Sequence, residues 1–189
     1  MRIIAGRFRG RALAAVGKGD AGAHLRPTTD RVRESLFSAL QGGRFGDPVT
    51  GAVVLDLFAG TGALGLEALS RGAASVVFVD DGRVAQKLIA QNVALCGADR
   101  ETVLIRRDAR RLPPRDGAAA SLIFLDPPYG KGLGGPALAT AQAGGWIAPG
   151  ALAVWEESAE QPAPDGWEAL DVRRYGDSHI TFLQRTAGD

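Results

Sequence analysis

Short apolar runs alternate with amphipathic stretches along most of the chain, and that alternation predicts its architecture. Apolar segments bounded by polar or turn residues read as strands near 52–58, 75–80, 102–107, 121–126, 151–156, 167–174 and 179–185. Apolar residues at helical spacing predict helices near 63–71, 83–96 and 135–144. An earlier stripe of Val32, Leu36, Phe37 and Leu40 predicts one over about 30–40. Strands that alternate with helices imply an α/β fold, a mostly parallel seven-stranded sheet with helices on both faces. The last two strands have no helix between them and meet at Tyr175-Gly176-Asp177-Ser178, so an antiparallel hairpin is expected to end the sheet. Ahead of the alternation, residues 2–8 and 12–16 read as the arms of a hairpin. This divides the chain into an N-terminal extension over 1–25 and a main domain over 26–189.

The sharpest local pattern is the strand, tight loop and helix start over residues 53–69. Gly60-Thr61-Gly62-Ala63-Leu64-Gly65 fits the Gly-x-Gly-x-x-Gly fingerprint of dinucleotide sites, and Asp80 stands at about the offset of a ribose-binding acid. Phe58, Ala59, Gly60, Thr61 and Gly62 are therefore candidate cofactor contacts. Asp56, at the end of the strand, bears on which cofactor. A carboxylate there repels a pyrophosphate but suits the sulfonium and ammonium groups of S-adenosylmethionine. The motif alone leaves an NAD(P)-linked oxidoreductase open. In a doubly wound sheet ligands lie across the carboxyl ends of the strands, where Asp80, Asp108-Ala109 and Asp126 follow in turn. The fourth strand ends in Asp126-Pro127-Pro128-Tyr129. Its prolines hold the Asp126 side chain and the Asp126 and Pro127 carbonyls in set directions, a rigid acceptor pair for a planar NH₂ group, with Tyr129 placed to stack on the ring that bears it.

Composition narrows the setting. A chain of 189 residues with 46% hydrophobic content can bury one full core. It has no signal-like or membrane-spanning run, so a soluble cytoplasmic protein is expected, without membrane partners and as a monomer. Cys96 falls on an apolar helical face and reads as a core thiol. With only His24 and His179 beside it, no metal site is expected. The net charge of +1 hides an asymmetry: residues 1–33 carry eight basic side chains against Asp20 and Asp30, a net +6, which leaves −5 for the rest. That points to a polyanion. Arg2, Arg7, Arg9, Arg11, Lys18 and Arg26 are the candidate RNA contacts, with Phe8 available to stack on a base.

Parallel strands ending in an antiparallel hairpin resemble the class I, Rossmann-like methyltransferases that use S-adenosylmethionine. Asp126-Pro127-Pro128-Tyr129 is similar to the Asp/Asn-Pro-Pro-Tyr/Phe motif of enzymes acting on planar amino nitrogens. Three further stretches, Arg2-Ile3-Ile4-Ala5-Gly6-x-Phe8-Arg9-Gly10-Arg11, Arg26-Pro27-Thr28-Thr29-Asp30-Arg31-Val32-Arg33-Glu34 and Tyr175-Gly176-Asp177, join the Gly60 loop in resembling the RsmD family over nearly the whole chain. The resemblance implies methyl transfer to N2 of a guanine in 16S ribosomal RNA, naked or in a small-subunit particle. It implies that Asp126, Pro127 and Tyr129 are catalytic, that Asp80 holds the ribose hydroxyls and that Asp108 and Ala109 meet the adenine. It also implies that Thr28, Thr29 and Arg31 lie near the cofactor. Asp80 and Tyr129 stand where many members have Glu and Phe. The acceptor motif alone also fits an adenine N6 or a protein glutamine, and the basic N-terminus alone fits a non-catalytic RNA-binding factor.

Overall fold

The computed structural model describes residues 1–15 and 29–186. Helix α1 (Asp30–Gln41) leads into β1 (Val53–Leu57), α2 (Ala63–Ser70), β2 (Ser75–Val79), α3 (Arg83–Cys96), β3 (Thr102–Ile105), β4 (Ala120–Leu125), α4 (Gly134–Ala143) and β5 (Ile147–Glu157). The hairpin of β6 (Trp167–Tyr175) and β7 (Ser178–Arg185) completes one sheet in the order β3-β2-β1-β4-β5-β7-β6. Strands β1 to β5 pair in parallel, and β7 is antiparallel to both its neighbours. The order reverses between β1 and β4, where the carboxyl ends of the strands leave a crevice.

Burial on both faces accounts for the unbroken apolar strands. One core layer joins Val54, Val76, Phe78, Leu122 and Phe124 to α1, α2 and α3. The other packs Leu55, Val77, Ile123 and Leu125 against α4 and the tryptophans Trp146, Trp155 and Trp167. Cys96 is buried with the first layer, as its helical face predicts. The β6–β7 turn holds Gly176 at φ 62°, the first central position that a two-residue hairpin loop reserves for glycine. Strand β3 ends two residues earlier than its apolar pattern suggests, since the Arg107 amide folds back to the Ile105 carbonyl. Strand β5 starts earlier than predicted, at Ile147, because a register shift against β4 absorbs Pro149 and Gly150.

The N-terminal arm pairs its two segments antiparallel over the described residues, as a short and irregular form of the hairpin expected over residues 2–16. Its two segments meet in a single bridge, Arg2 with Ala12, flanked by the Ile3 amide donating to the Arg11 carbonyl. The Gly10 amide donates to the Ile3 carbonyl and the Leu13 amide to the Met1 carbonyl, while other amides turn inward. Those of Ile4 and Ala5 donate to the carboxylate of fully buried Glu67 on α2, and the Phe8 amide donates to Ser70 Oγ. Asn92 of α3, also fully buried, accepts from the Ala14 amide and donates to the carbonyls of Ala14 and Thr61. The arm thus runs down α2. Its tip sits at the helix's carboxyl end, on the opposite side of the sheet from the crevice.

Gly6 sits at φ 80°, and a Cβ there would lie 1.8 Å from the Ser70 carbonyl oxygen. Replacing it with alanine combines backbone strain with a clash against backbone, and should destabilise the protein by on the order of 2 kcal/mol. Amide hydrogen exchange should quicken at Ile4, Ala5 and Phe8 while β1 and β4 stay protected. Unchanged protection along the arm would refute this attachment.

Candidate functional site

The glycine loop is fixed from below and from the side. Asp56 of β1, 1% exposed, accepts a hydrogen bond from the Gly65 amide at 3.0 Å, inside the first turn of α2. That bond serves a helix start whose N-cap, Gly62, has no side chain to do so. Gly65 cannot be larger: a Cβ would stand 2.4 Å from the Phe78 ring and 2.7 Å from Val76. It is the close helix-to-strand packing position of the fingerprint. Gly60 and Gly62 have φ of 59° and 76°, and Phe58 shares the left-handed region at 58°, a strained conformation for a bulky side chain. The loop's other anchor is Asp80, whose two carboxylate oxygens accept from the amides of Gly60 at 2.9 Å and Gly82 at 2.8 Å.

Next to this loop, the Asp126 amide reaches the Leu57 carbonyl across the β1–β4 switch point. Pro127 is buried behind Asp126. Tyr129 turns its hydroxyl toward the sheet, donating to Glu156 Oε1 at 2.8 Å and sharing a hydrogen bond of 2.7 Å with Ser178 Oγ at the start of β7. The Gly130 amide donates to Glu157 Oε1. The acceptor loop is therefore held by two consecutive glutamates at the end of β5, neither anticipated from sequence. Their position is a readable sign, since acids that end an apolar strand of a doubly wound sheet face the crevice.

Charge is concentrated here to an unusual degree. Burial pushes the Asp56 carboxyl up to about 8, with Asp80 adding to it. Asp126 is raised well above the ordinary carboxylate range by burial, then by Glu156, Asp56 and Glu157. Asp80 is raised by burial against the pull of its two loop amides. Among the described residues no cationic side chain forms an ion pair with Asp56, Asp80 or Asp126. Such a site favours a ligand bearing positive charge and resists a pyrophosphate.

The other predicted residues are dispersed. Asp108 closes a 3₁₀ turn at Ala109–Arg111, accepting from the Arg110 amide and pairing with its guanidinium at 2.6 Å, which lowers its pKa; Ala109 is buried beneath. Thr29 caps α1 through the Val32 amide, and Arg31 is exposed on the first turn. Thr61 is buried, its carbonyl taken by Asn92. Arg2 lies 3.7 Å from Asp30, while Arg7 pairs with Glu101 at 2.7 Å and covers the Phe8 ring at 4.4 Å. Phe8 is half-buried and packs against the core beneath the Arg7 guanidinium. Arg9 and Arg11 are exposed. Thr28, Lys18 and Arg26 lie outside the described residues. A groove of about 500 Å³ opens at the other edge of the sheet, between Phe45, Asp47, Ser121 and Gln184, and no described candidate residue lines it.

Strand order, glycine loop and antiparallel hairpin together define a class I methyltransferase fold. Residues 1–184 match the family described as "Conserved hypothetical protein 95". Ribosomal RNA small subunit methyltransferase D of Escherichia coli K12 is 37% identical over 190 residues, covering 99% of this chain and 91% of the relative; that of Haemophilus influenzae is 32% identical, covering 93% and 89%. The solved structure of yhhF from Escherichia coli superposes with a TM-score of 0.83 at 34% identity, covering 100% of this chain and 99% of that one. TrmN of Thermus thermophilus, at 24% identity, shares the fold with a TM-score of 0.65 over 86% of this chain and 51% of its own. The protein belongs to the RsmD family of methyltransferases.

The buried Asp56 gives a pH test. Folded, it keeps its proton up to about 8, whereas its ordinary value is 3.8. The folded state thus binds the extra proton in between, and this group's contribution to stability is lost as pH rises through that window. Asp56→Asn keeps an acceptor for Gly65 but cannot ionise. In urea unfolding at pH 5, 7 and 9, the variant should gain on the wild type as pH rises; a constant difference would show that Asp56 does not titrate as its burial demands.

Proposed function

We propose that this protein transfers a methyl group from S-adenosylmethionine to the exocyclic N2 of a guanine in 16S ribosomal RNA. The observation that carries the reading is the Asp126-Pro127-Pro128-Tyr129 loop, held rigidly at the switch point beside the acids Asp56 and Asp80, with which no cation among the described residues forms an ion pair. The names of the relatives above support it. The donor set suits S-adenosylmethionine. Asp80, anchored at the end of β2, would take the ribose hydroxyls, the glycine loop Gly60 to Gly62 the amino-acid part, and Asp108 with Ala109 the adenine. Asp56 would act from under the loop, through the backbone it holds. When bound, the cofactor supplies an activated methyl on a sulfonium.

The protein's part is positional. The Asp126 side chain and the Pro127 carbonyl would accept the two amine hydrogens, aiming the nitrogen lone pair, which at rest is delocalised into the ring. Tyr129 would stack on the base with its ring orientation set by Glu156 and Ser178, and the base must be turned out of its stack to reach it. Orientation of this kind supplies roughly 7–11 kcal/mol in well-aligned systems. The methylated amine is acidic and releases its proton readily; Asp126, whose enclosure among acids raises its proton affinity, stands ready to take it.

The decisive assay supplies labelled S-adenosylmethionine with unmodified ribosomal RNA and small-subunit particles, followed by nucleoside analysis. Label in N2-methylguanosine is expected; label in another nucleoside, or in none, rejects the assignment. Asp126→Ala should reduce turnover at least about 10³-fold while calorimetry shows cofactor affinity within a few fold of wild type. Equal loss of both would mean that Asp126 serves the cofactor or the fold.

A further inference from the structure

We infer that Arg106, Arg107 and Arg111, at the end of β3, form a phosphate-binding rim that holds the RNA beside the target nucleotide; this rests on the function proposed above. The segment from Arg106 to Arg111 carries four arginines against Asp108, a local net +3 in a body that is otherwise net negative. All four arginines are exposed. Arg110 is engaged with Asp108, whereas among the described residues no ion pair occupies Arg106, Arg107 or Arg111.

Their place is what gives them a role. The Asp80 amide donates to the Ile105 carbonyl, so Arg106 begins directly beside the residue proposed to hold the ribose. The backbone that bears the arginines is fixed. Ala109 and Leu112 are buried, Thr140 Oγ1 of α4 donates to the Arg110 carbonyl, and Trp146 Nε1 donates to the Pro113 carbonyl at 2.7 Å. Guanidinium groups on an immobile turn lose little freedom on binding phosphate, and their planar forks match its oxygens.

Electrostatics requires such a rim. A crevice lined by acidic side chains, Asp80, Asp126, Glu156 and Glu157 among them, disfavours a polyanion at close range, even where salt screens charges beyond about 8–10 Å. A base can enter only if its flanking phosphates find compensation at the mouth. The tip of the N-terminal arm does not supply it: Arg7 pairs with Glu101, at the other end of β3. Five residues of extended chain separate Glu101 from Arg106, about 17 Å. Arm and rim are therefore distinct contacts at the two ends of one edge strand.

The test compares Arg106→Gln/Arg107→Gln/Arg111→Gln with the same three positions changed to Lys, with an Arg44→Gln control near the amino ends of β1 and β4, and with the wild type. Protein-free 16S RNA is titrated between 50 and 200 mM salt. Losing three phosphate contacts should flatten the slope of log affinity against log salt by about 2 and weaken binding on the order of tenfold at low salt, with S-adenosylmethionine affinity kept. The lysine variant should retain most of the slope, and the control all of it. An unchanged slope in the glutamine variant overturns the rim. So does a loss confined to assembled particles, which would assign the arginines to a ribosomal protein. Wild-type enzyme that methylates no RNA would instead defeat the underlying function.

Discussion

Much of this structure depends on one hydrogen bond out of sight of solvent, from the Gly65 amide to the Asp56 carboxyl. It ties the end of β1 to the first turn of α2, across the loop that any cofactor must approach. A buried acceptor this close to a helix start stabilises the loop only if nothing larger than hydrogen occupies position 65. Phe78 and Val76 enforce that from the neighbouring strand. The glycines, the buried acid and the packing of β2 are thus one device, and altering any of them displaces the others.

From this device outward, carboxyl groups accumulate. Asp80 braces the loop, Asp126 stands across the switch point, and Glu156 and Glu157 close the far wall while fastening the acceptor loop through Tyr129 and Gly130. Folding brings these like charges together, at a cost borne by proton uptake and the rest of the core. A cationic ligand would relieve it. The same acids that set the loops in place thereby select the ligand's sign of charge, and they make the outer surface of the crevice a problem for a polyanionic substrate.

Elements that depend on local patterning were legible in the chain. The stripe of Ala85, Leu88, Ile89, Val93 and Cys96 placed α3 at its observed limits, and Tyr175-Gly176-Asp177-Ser178 placed the final turn. The motif acids at strand ends were legible because the doubly wound topology assigns such positions in advance. What could not be read were choices made by distant partners. The arm reads as a hairpin, but nothing local shows that Glu67, Ser70 and Asn92 take several of its amides, or that Arg7 covers the Phe8 ring. Arg106 to Arg111 were hidden by summing charge over whole halves of the chain, where surrounding acids cancel them.

The arm's attachments also impose an order on the protein's own birth. Residues 4–14 bond to partners 62 to 78 positions later in the chain. During synthesis at about 5–20 residues per second, that interval lasts roughly 3–16 s. Through it the basic segment emerges with its final partners still unmade, beside a ribosome made largely of RNA. Glu67, Ser70 and Asn92 therefore do more than hold the arm in the finished enzyme: they end a period in which its arginines are at liberty, and so determine when the nascent chain stops behaving as a polycation and becomes a folded domain.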